Sequence, residues 1–250
     1  MGAGNLRPMA LPGGLGRLFR RAGRPNYRGA WNDGARRNAL DAVLTGADAA
    51  RFEETGVEDA SAIRRLLTPN ARVLDIGCGL GRVEKHLAPL VSELHAVDVS
   101  PGMLAAARRR LAGLPNVHLR EIGNDEFLRA YGSERFDLVF SLLVLQHLER
   151  EDAFRYLREA FRVLVPGGVL FAQFPNFLSP EYTRAFLGSV DVPHRSPGRV
   201  RYYTEAEVRH AIGLAGFALE DVRISSGERG DTEIHVVARK PGGDGRSSAG

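Results

Sequence analysis

The sequence predicts an α/β domain with a doubly wound, mostly parallel sheet of seven strands that ends in an antiparallel hairpin. Short aliphatic or β-branched runs alternate with helical stretches, as in successive βαβ units. The last two runs are joined by only eight residues, Ser225 to Thr232, too few for a crossover helix, so they must pair antiparallel. The seven predicted strands are Arg72–Ile76, Glu93–Asp98, Val117–Glu121, Phe136–Ser141, Gly168–Phe174, Ala218–Ile224 and Glu233–Arg239.

Several helix boundaries between these strands are marked by capping residues. Ser100 provides an N-cap, and Pro101 is the first helical residue after it. Thr204 and Glu207 form a capping box for a later helix, and Gly216 ends that helix. Another helix is predicted directly after the first strand from four apolar residues at helical spacing, Leu80, Val83, Leu87 and Leu90.

Length and composition are those of one globular domain, with 250 residues of which 44% are hydrophobic and 26% charged. We expect this domain to span residues 27–240. A flexible basic tail over residues 1–26 and a disordered tail over residues 241–250 are predicted from their content of Gly, Pro, Arg and Ser. The stretch 175–203 after the fifth strand is longer than an ordinary connection, and we predict that it forms a lid.

The net charge of +4 is concentrated at the start of the chain. Residues 1–37 hold eight arginines and one acid, so they carry +7 and leave −3 for the remainder. Such an arm can contact nucleic acid, but its interleaved glycine and proline favour a solvated tail. No apolar run approaches the ~20 residues of a membrane span, and the first residues lack a secretory pattern, so we expect a cytoplasmic protein without membrane contact. The lone cysteine, Cys78, excludes a disulfide framework and an all-cysteine metal site, and no metal is predicted.

A glycine-rich loop follows the first predicted strand. The segment Val73–Arg82 runs from that strand toward the next helix, with glycines where the backbone must turn tightly and lie against a ligand. Asp98 ends the next strand, 21 residues after Gly77, and a carboxylate at this place can accept both hydroxyls of a ribose. Together the loop and Asp98 predict a ligand that contains adenosine.

Two details of the loop favour S-adenosylmethionine over NAD. The glycines are spaced G-x-G-x-G rather than G-x-G-x-x-G, and Asp75 places a carboxylate directly before them. That charge would repel a pyrophosphate but attract the ammonium group of a methionine moiety. The alternative interpretations are structural, with Asp75 bonded to loop amides and Asp98 capping a helix.

Five motifs occur in order along the chain. They are VLDIGCGLGR (residues 73–82), AVDVSPGML (96–104), FDLVFSLLVLQHL (136–148), LVPGGVL (164–170) and YYTEAEVRHAIGLAGF (202–217). With these motifs the chain resembles the class I S-adenosylmethionine-dependent methyltransferases from about Ala62 to Lys240. The resemblance implies a Rossmann-like sheet of strand order 3-2-1-4-5-7-6, with the cofactor over the carboxyl ends of the first strands.

The resemblance also implies a set of cofactor-binding residues. In the first strand and its loop these are Asp75, Gly77, Cys78, Gly79 and Gly81, where Cys78 is also interpreted as a small buried residue. Asp98 would bind the ribose, and Val99 with Met103 would pack against the adenine. The turn after the third strand offers either Asn124 or Asp125 to the adenine amino group, with Asn124 slightly favoured. After the fourth strand, the backbone of Ser141 and Leu142 would meet the methionine amine.

The acceptor side is less well defined by the sequence. His147 follows the fourth strand and is the candidate general base, because histidine titrates near neutral pH; the alternative is a structural histidine. A planar or anionic acceptor is predicted to meet residues of the 175–203 stretch and of the early helical segment. The named candidates are Trp31, His194, Arg195, Tyr202 and Tyr203.

The function predicted from these residues is methylation of a small molecule at oxygen, nitrogen or carbon, in a reaction of specialised metabolism. A base-methylating enzyme of nucleic acids would carry Asn or Asp before Pro-Pro-aromatic after the fourth strand, where this chain has Ser141-Leu142-Leu143-Val144. Nucleic acid is therefore the less favoured partner. The alternatives are an RNA or protein methyltransferase, and a cofactor-binding protein with a non-methylating or regulatory role.

Overall fold

The computed structural model describes residues 25–191, 199–227 and 230–242. Seven strands form one sheet in the order β3-β2-β1-β4-β5-β7-β6. Neighbours among the first five strands are parallel, whereas β7 pairs antiparallel with both β5 and β6. The predicted fold class and strand order are confirmed. The strands are β1 (Arg72–Ile76), β2 (Glu93–Asp98), β3 (Val117–Glu121), β4 (Phe136–Ser141), β5 (Leu164–Pro175), β6 (Ala218–Gly227) and β7 (Gly230–Arg239).

The first four strands have the predicted bounds, and the last three are longer. β5 begins at Leu164, which pairs with Phe136 before the register shifts to Leu138 opposite Val169. Gly167 in this bulge has a φ of +79°, a conformation that glycine adopts freely. Gly168, the predicted first residue of this strand, therefore follows an irregularity inside the strand. β6 and β7 likewise continue toward each other beyond the predicted hairpin ends.

Seven α-helices flank the sheet within the described residues. Ser100 caps α4, with its Oγ accepting from the amide of Met103 at 3.2 Å, and Thr204 and Glu207 form the predicted capping box at the start of α7. The helices are α1 (Tyr27–Val43), α2 (Ala49–Arg64), α3 (Glu84–Leu87), α4 (Pro101–Arg110), α5 (Arg150–Val163), α6 (Pro180–Gly188) and α7 (Glu205–Leu214).

The helix predicted directly after β1 is largely replaced by turns. Gly79 and Gly81 have φ values of +52° and +77°, which no α-helix contains, so α3 starts only at Glu84. After one turn it passes into a 3₁₀ segment, Ala88–Leu90, at Pro89, which has no amide hydrogen to donate. The residues between β1 and α3 are thereby left free to form a loop.

The two faces of the sheet are covered by different helices. Leu74 and Ile76 of β1 lie in a cluster with Leu157 of α5 and Ile212 of α7. Val73, which precedes Leu74, lies in a second cluster with residues of α2 and α3, because successive side chains of a strand point to opposite faces. This arrangement leaves the carboxyl ends of β1, β2 and β4 at one uncovered edge, where the site is found.

The termini and the 175–203 stretch are described only in part. Asn26 caps α1 by accepting from the amide of Gly29 at 2.9 Å, one residue before the predicted start of the domain. The predicted tails otherwise fall on residues 1–24 and 243–250, outside the described residues. Backbone hydrogen bonds between residues 175–177 and Tyr203 join the two ends of the predicted lid. In the part of the chain that the structure describes, none of the helices has the length and apolar character needed to cross a bilayer.

Candidate functional site

A cleft lies at the carboxyl ends of β1, β2 and β4. It contains about 1040 Å³ of space between atoms, part of it open to solvent. The strand ends form its floor, and α1 and α5 provide its walls. Of the predicted cofactor residues it is lined by Asp75, Gly77, Cys78, Gly79, Asp98, Val99, Met103, Asn124 and Leu142.

The glycine loop is tied to β2 and tightly packed. The amides of Gly77 and Cys78 both donate to the carbonyl of Val97, at 2.8 and 3.0 Å. Gly77 has a φ of +90°, and a Cβ there would lie 2.2 Å from Cγ2 of Val144, so only glycine fits. Gly81 differs from the other two glycines: it lies outside the cleft lining, and a Cβ on it would lie 2.7 Å from Cδ1 of Leu111. The structure thus gives Gly81 a packing role.

Asp98 is buried at the end of β2 and holds the loop in place. Its two carboxylate oxygens accept from the amides of Gly79 at 2.9 Å and of Ser100 at 2.8 Å. Burial raises its pKa to about 6, although both amide bonds act in the opposite direction. A carboxylate oxygen can accept more than one hydrogen bond, so Asp98 retains capacity for the hydroxyls of a ligand.

Asp75 shares the loop end of the cleft with two residues that the sequence analysis did not single out. Glu84 and Arg82 line the cleft together with Asp75, and Arg82 forms an ion pair with Asp59 at 2.6 Å. Burial raises the pKa of both Asp75 and Glu84, because it disfavours their charged forms. Glu84 lies between apolar residues of a predicted helix, so its sequence position gave no sign of a role in the site.

The opposite end of the cleft is mostly apolar. Val99, Met103 and Phe127 line it together with Asn124. The Asn124 side chain accepts from the amide of Arg28 at 3.0 Å, which ties the turn after β3 to α1. Asp125 lies outside the lining, so the placement agrees with the preference for Asn124.

The wall formed by α1 and α5 carries a buried polar pair. The hydroxyl of Tyr27 donates to Asp152 at 3.0 Å and accepts from the amide of Glu149 at 2.9 Å. Burial raises the pKa of this phenol. Both residues line the cleft, as do Trp31 and Tyr156. Trp31 was predicted to face the acceptor. Tyr27, Asp152 and Tyr156 were not predicted, because they come from segments that only the folded chain brings together.

His147 lies behind Trp31 and outside the cleft lining. The two rings meet edge to face with centroids 4.8 Å apart. His147 belongs to the 3₁₀ segment Leu145–His147, and its Nε2 is 3.2 Å from Nε2 of Gln146. Its predicted role as a base stays a prediction, and in this conformation Trp31 separates it from the cleft.

Other predicted residues also lie away from the cleft. Ser141 donates its hydroxyl to the carbonyl of Ile76 at 3.1 Å and thereby joins β4 to β1. Tyr203 packs against Phe174 with ring centroids 5.1 Å apart, and Tyr202 belongs to an aromatic cluster beside α6. Neither tyrosine is in the lining. His194 and Arg195 fall on residues 192–198, outside the described part of the chain.

Fold and loop together define a Rossmann-like protein with a cleft suited to an adenosine cofactor. A family model described as "Methyltransferase domain" matches residues 73–168. Ubiquinone biosynthesis O-methyltransferases are similar to this chain. That of Azorhizobium caulinodans is 31% identical over 66% of this chain and 64% of its own length. That of Xanthomonas axonopodis pv. citri is 31% identical over 63% of this chain and 67% of its own length. The chain thus spans about two thirds of the length of these curated relatives.

Two solved structures share the fold at low sequence identity. Magnesium protoporphyrin IX methyltransferase of Synechocystis PCC 6803, with bound S-adenosylhomocysteine, has a TM-score of 0.67 and 19% identity over 85% of this chain and 97% of its own. An N-methyltransferase of Bradyrhizobium japonicum WM9, also with S-adenosylhomocysteine, has a TM-score of 0.64 and 17% identity, over 85% of this chain and 99% of its own. With the sequence relatives, these findings show that the chain belongs to the class I S-adenosylmethionine-dependent methyltransferases, as predicted, and that its cofactor is S-adenosylmethionine.

Proposed function

We propose that this chain transfers the methyl group of S-adenosylmethionine to a small molecule, with a hydroxyl oxygen as the preferred acceptor. One observation carries the proposal: the acidic loop end of the cleft continues without interruption into a wall of Trp31, Tyr156 and Leu148. The names of the curated relatives, which are O-methyltransferases, support oxygen over nitrogen or carbon.

The residues of the cleft fit the cofactor. Gly77 and Gly79 line the cleft, Asp98 has hydrogen-bonding capacity for a ribose, and Asp75 provides an acidic group for an ammonium. Two further polar atoms in the lining, Oε1 of Glu84 and Nη1 of Arg82, are buried without a partner among the described residues, as expected of groups that a ligand completes.

The protein's part in the reaction is then mainly one of positioning. Bound S-adenosylmethionine supplies a methyl group made electrophilic by the sulfonium. The aromatic wall, with Trp31 and Tyr156, excludes water and holds the acceptor so that its nucleophilic atom meets that methyl group in line. Asp152 lines the cleft and can accept the acceptor's proton once Tyr27 reorients, whereas His147 would need Trp31 to move.

The charge of the cleft argues for a small acceptor over a polynucleotide. Within the described residues Arg82 is the single cation of the lining, and it is paired with Asp59. Binding of a phosphate backbone depends on several cations at the contact surface. The cleft offers instead apolar and acidic surface, which suits an uncharged, hydroxylated acceptor.

The proposal is tested by product analysis. Purified protein is incubated with S-adenosylmethionine and a panel of hydroxylated aromatic compounds, with amine and carbon-acid compounds beside them, and S-adenosylhomocysteine is measured by mass spectrometry. We expect release with a subset of the hydroxylated compounds, and loss of that release in Asp98→Ala. Tight cofactor binding without release for any acceptor class would contradict methyl transfer and favour a non-methylating role.

A further inference from the structure

The turn that follows β4 contains a strained residue that lines the cleft. Leu142, Leu143 and Val144 all belong to the lining, and Leu143 has a φ of +59°. Residues other than glycine seldom adopt this left-handed conformation, and they keep it only where neighbouring groups hold them there. Because such strain is concentrated at functional sites, the groups that hold Leu143 are informative.

Contacts on two sides fix this turn. On one side Val144 packs against the glycine loop, where a Cβ on Gly77 would lie 2.2 Å from Cγ2 of Val144. On the other side the amide of Leu143 donates to Oε1 of Gln173 in β5, at 3.2 Å. The turn therefore lies between the glycine loop and a side chain of the neighbouring strand.

Gln173 is a polar exception in a buried strand. Its neighbours in β5 from Val169 to Phe174 are all apolar, and Gln173 itself is only 8% exposed. Burying an amide side chain costs free energy unless its polar atoms are paired. Packing alone would favour an apolar residue here, so the hydrogen bond from the Leu143 amide gives glutamine a specific purpose at this position.

Gln173 also lies next to the base of the predicted lid. Pro175, two residues further along β5, accepts from the amide of Tyr203 at 2.9 Å and lies opposite Glu233 of β7. Glu233 in turn accepts from the hydroxyl of Tyr182 in α6. The strand position that holds the strained turn is thus within two residues of the point where the lid joins the sheet.

We propose that Gln173 is a positioning residue for methyl transfer, which keeps Leu143 in its strained conformation and thereby aligns the acceptor with the methyl group. Gln173 is outside the cleft lining and acts only through Leu143. Since β4 lies between β1 and β5 in the sheet, the turn has the glycine loop on one side and the base of the lid on the other. This inference rests on the proposed function for the reaction itself.

The test separates alignment from binding. Gln173→Met keeps the length of the side chain but removes the oxygen that accepts from Leu143. Calorimetry measures S-adenosylhomocysteine affinity, NMR measures hydrogen exchange of the Leu143 amide, and kcat is determined with a hydroxylated aromatic acceptor found in the product screen. We expect kcat to fall at least tenfold, affinity to stay within threefold of wild type, and the amide to exchange at least tenfold faster.

Two further variants make the result specific. Gln173→Glu keeps an accepting oxygen at the same reach and should retain at least a third of the wild-type kcat and the slow exchange of the Leu143 amide. Ser92→Ala is the matched control, because it removes another hydrogen bond from a side chain to the backbone, to the carbonyl of Asn70 at 2.7 Å, at the amino ends of the strands. It should behave as wild type in all three measurements.

The remaining outcomes would contradict the inference in distinguishable ways. Wild-type kcat and slow amide exchange in Gln173→Met would overturn it and leave the proposed function intact. If S-adenosylhomocysteine affinity falls by the same factor as kcat, or if Gln173→Glu is as impaired as Gln173→Met, Gln173 has only a structural role. Failure of the wild-type chain to release S-adenosylhomocysteine with any acceptor would remove the proposed function and this inference with it.

Discussion

Replacing Asp98 by alanine is expected to weaken S-adenosylhomocysteine binding by two to four orders of magnitude. A hydrogen bond to a charged group contributes about 1.5–3 kcal/mol, so a carboxylate that accepts both ribose hydroxyls contributes about 3–6 kcal/mol, or roughly 10²- to 10⁴-fold in Kd. The substitution also frees the amides of Gly79 and Ser100, which loosens the loop. Isothermal titration calorimetry measures the affinity, and thermal unfolding checks that the variant is folded.

A control and the pH dependence make this prediction specific. Glu121 pairs with Asp98 in the register of β2 and β3 but is more exposed and bound to Arg28 at 2.6 Å, so Glu121→Ala should bind as wild type does. Because the pKa of Asp98 in the free protein is about 6, its contribution to affinity should be present above that pH and decline as the pH falls through it. An Asp98→Ala variant within threefold of wild-type affinity would refute the reasoning.

Three further outcomes follow from the site. Gly81→Ala should lower the free energy of unfolding in urea by about 1–3 kcal/mol, because the new Cβ would have a positive φ and would clash with Leu111. Gly46 also has a positive φ, +74°, but open space around it, so Gly46→Ala measures the cost of the backbone strain alone. Trp31→Ala should raise the KM of the acceptor severalfold and leave S-adenosylhomocysteine affinity unchanged, whereas a matching loss of cofactor affinity would contradict an acceptor role. His147→Gln should leave cofactor affinity unchanged and, if His147 is the base, lower kcat. An unchanged kcat would leave Asp152 as the candidate.

The fold was predictable because its signals are local or depend on simple spacing. Strands β1, β2 and β4 are largely buried on both faces and appear as aliphatic runs, and the short connection between β6 and β7 permits only one pairing. The helix after β1 was mispredicted because its apolar spacing continues through residues whose backbone is left-handed at Gly79 and Gly81. Apolar periodicity reports burial but not backbone conformation.

The cofactor side of the cleft was more predictable than the acceptor side. Asp75, Asp98 and the glycines lie next to strand ends, so their place follows from the sheet. Tyr27 and Asp152 meet across 125 positions of sequence, and no spacing rule links them. Glu84 was missed for a different reason: a carboxyl at a buried helical position is recognisable as part of a site only when its unpaired oxygen and its neighbours are known.

The most direct test of the account is to titrate the wild-type chain with S-adenosylhomocysteine and, separately, with NAD by calorimetry. The account predicts micromolar or tighter binding of S-adenosylhomocysteine at one site per chain and no detectable binding of NAD, whose pyrophosphate would meet the acidic loop end of the cleft at Asp75. Binding of NAD in preference, or of neither ligand, would contradict the account.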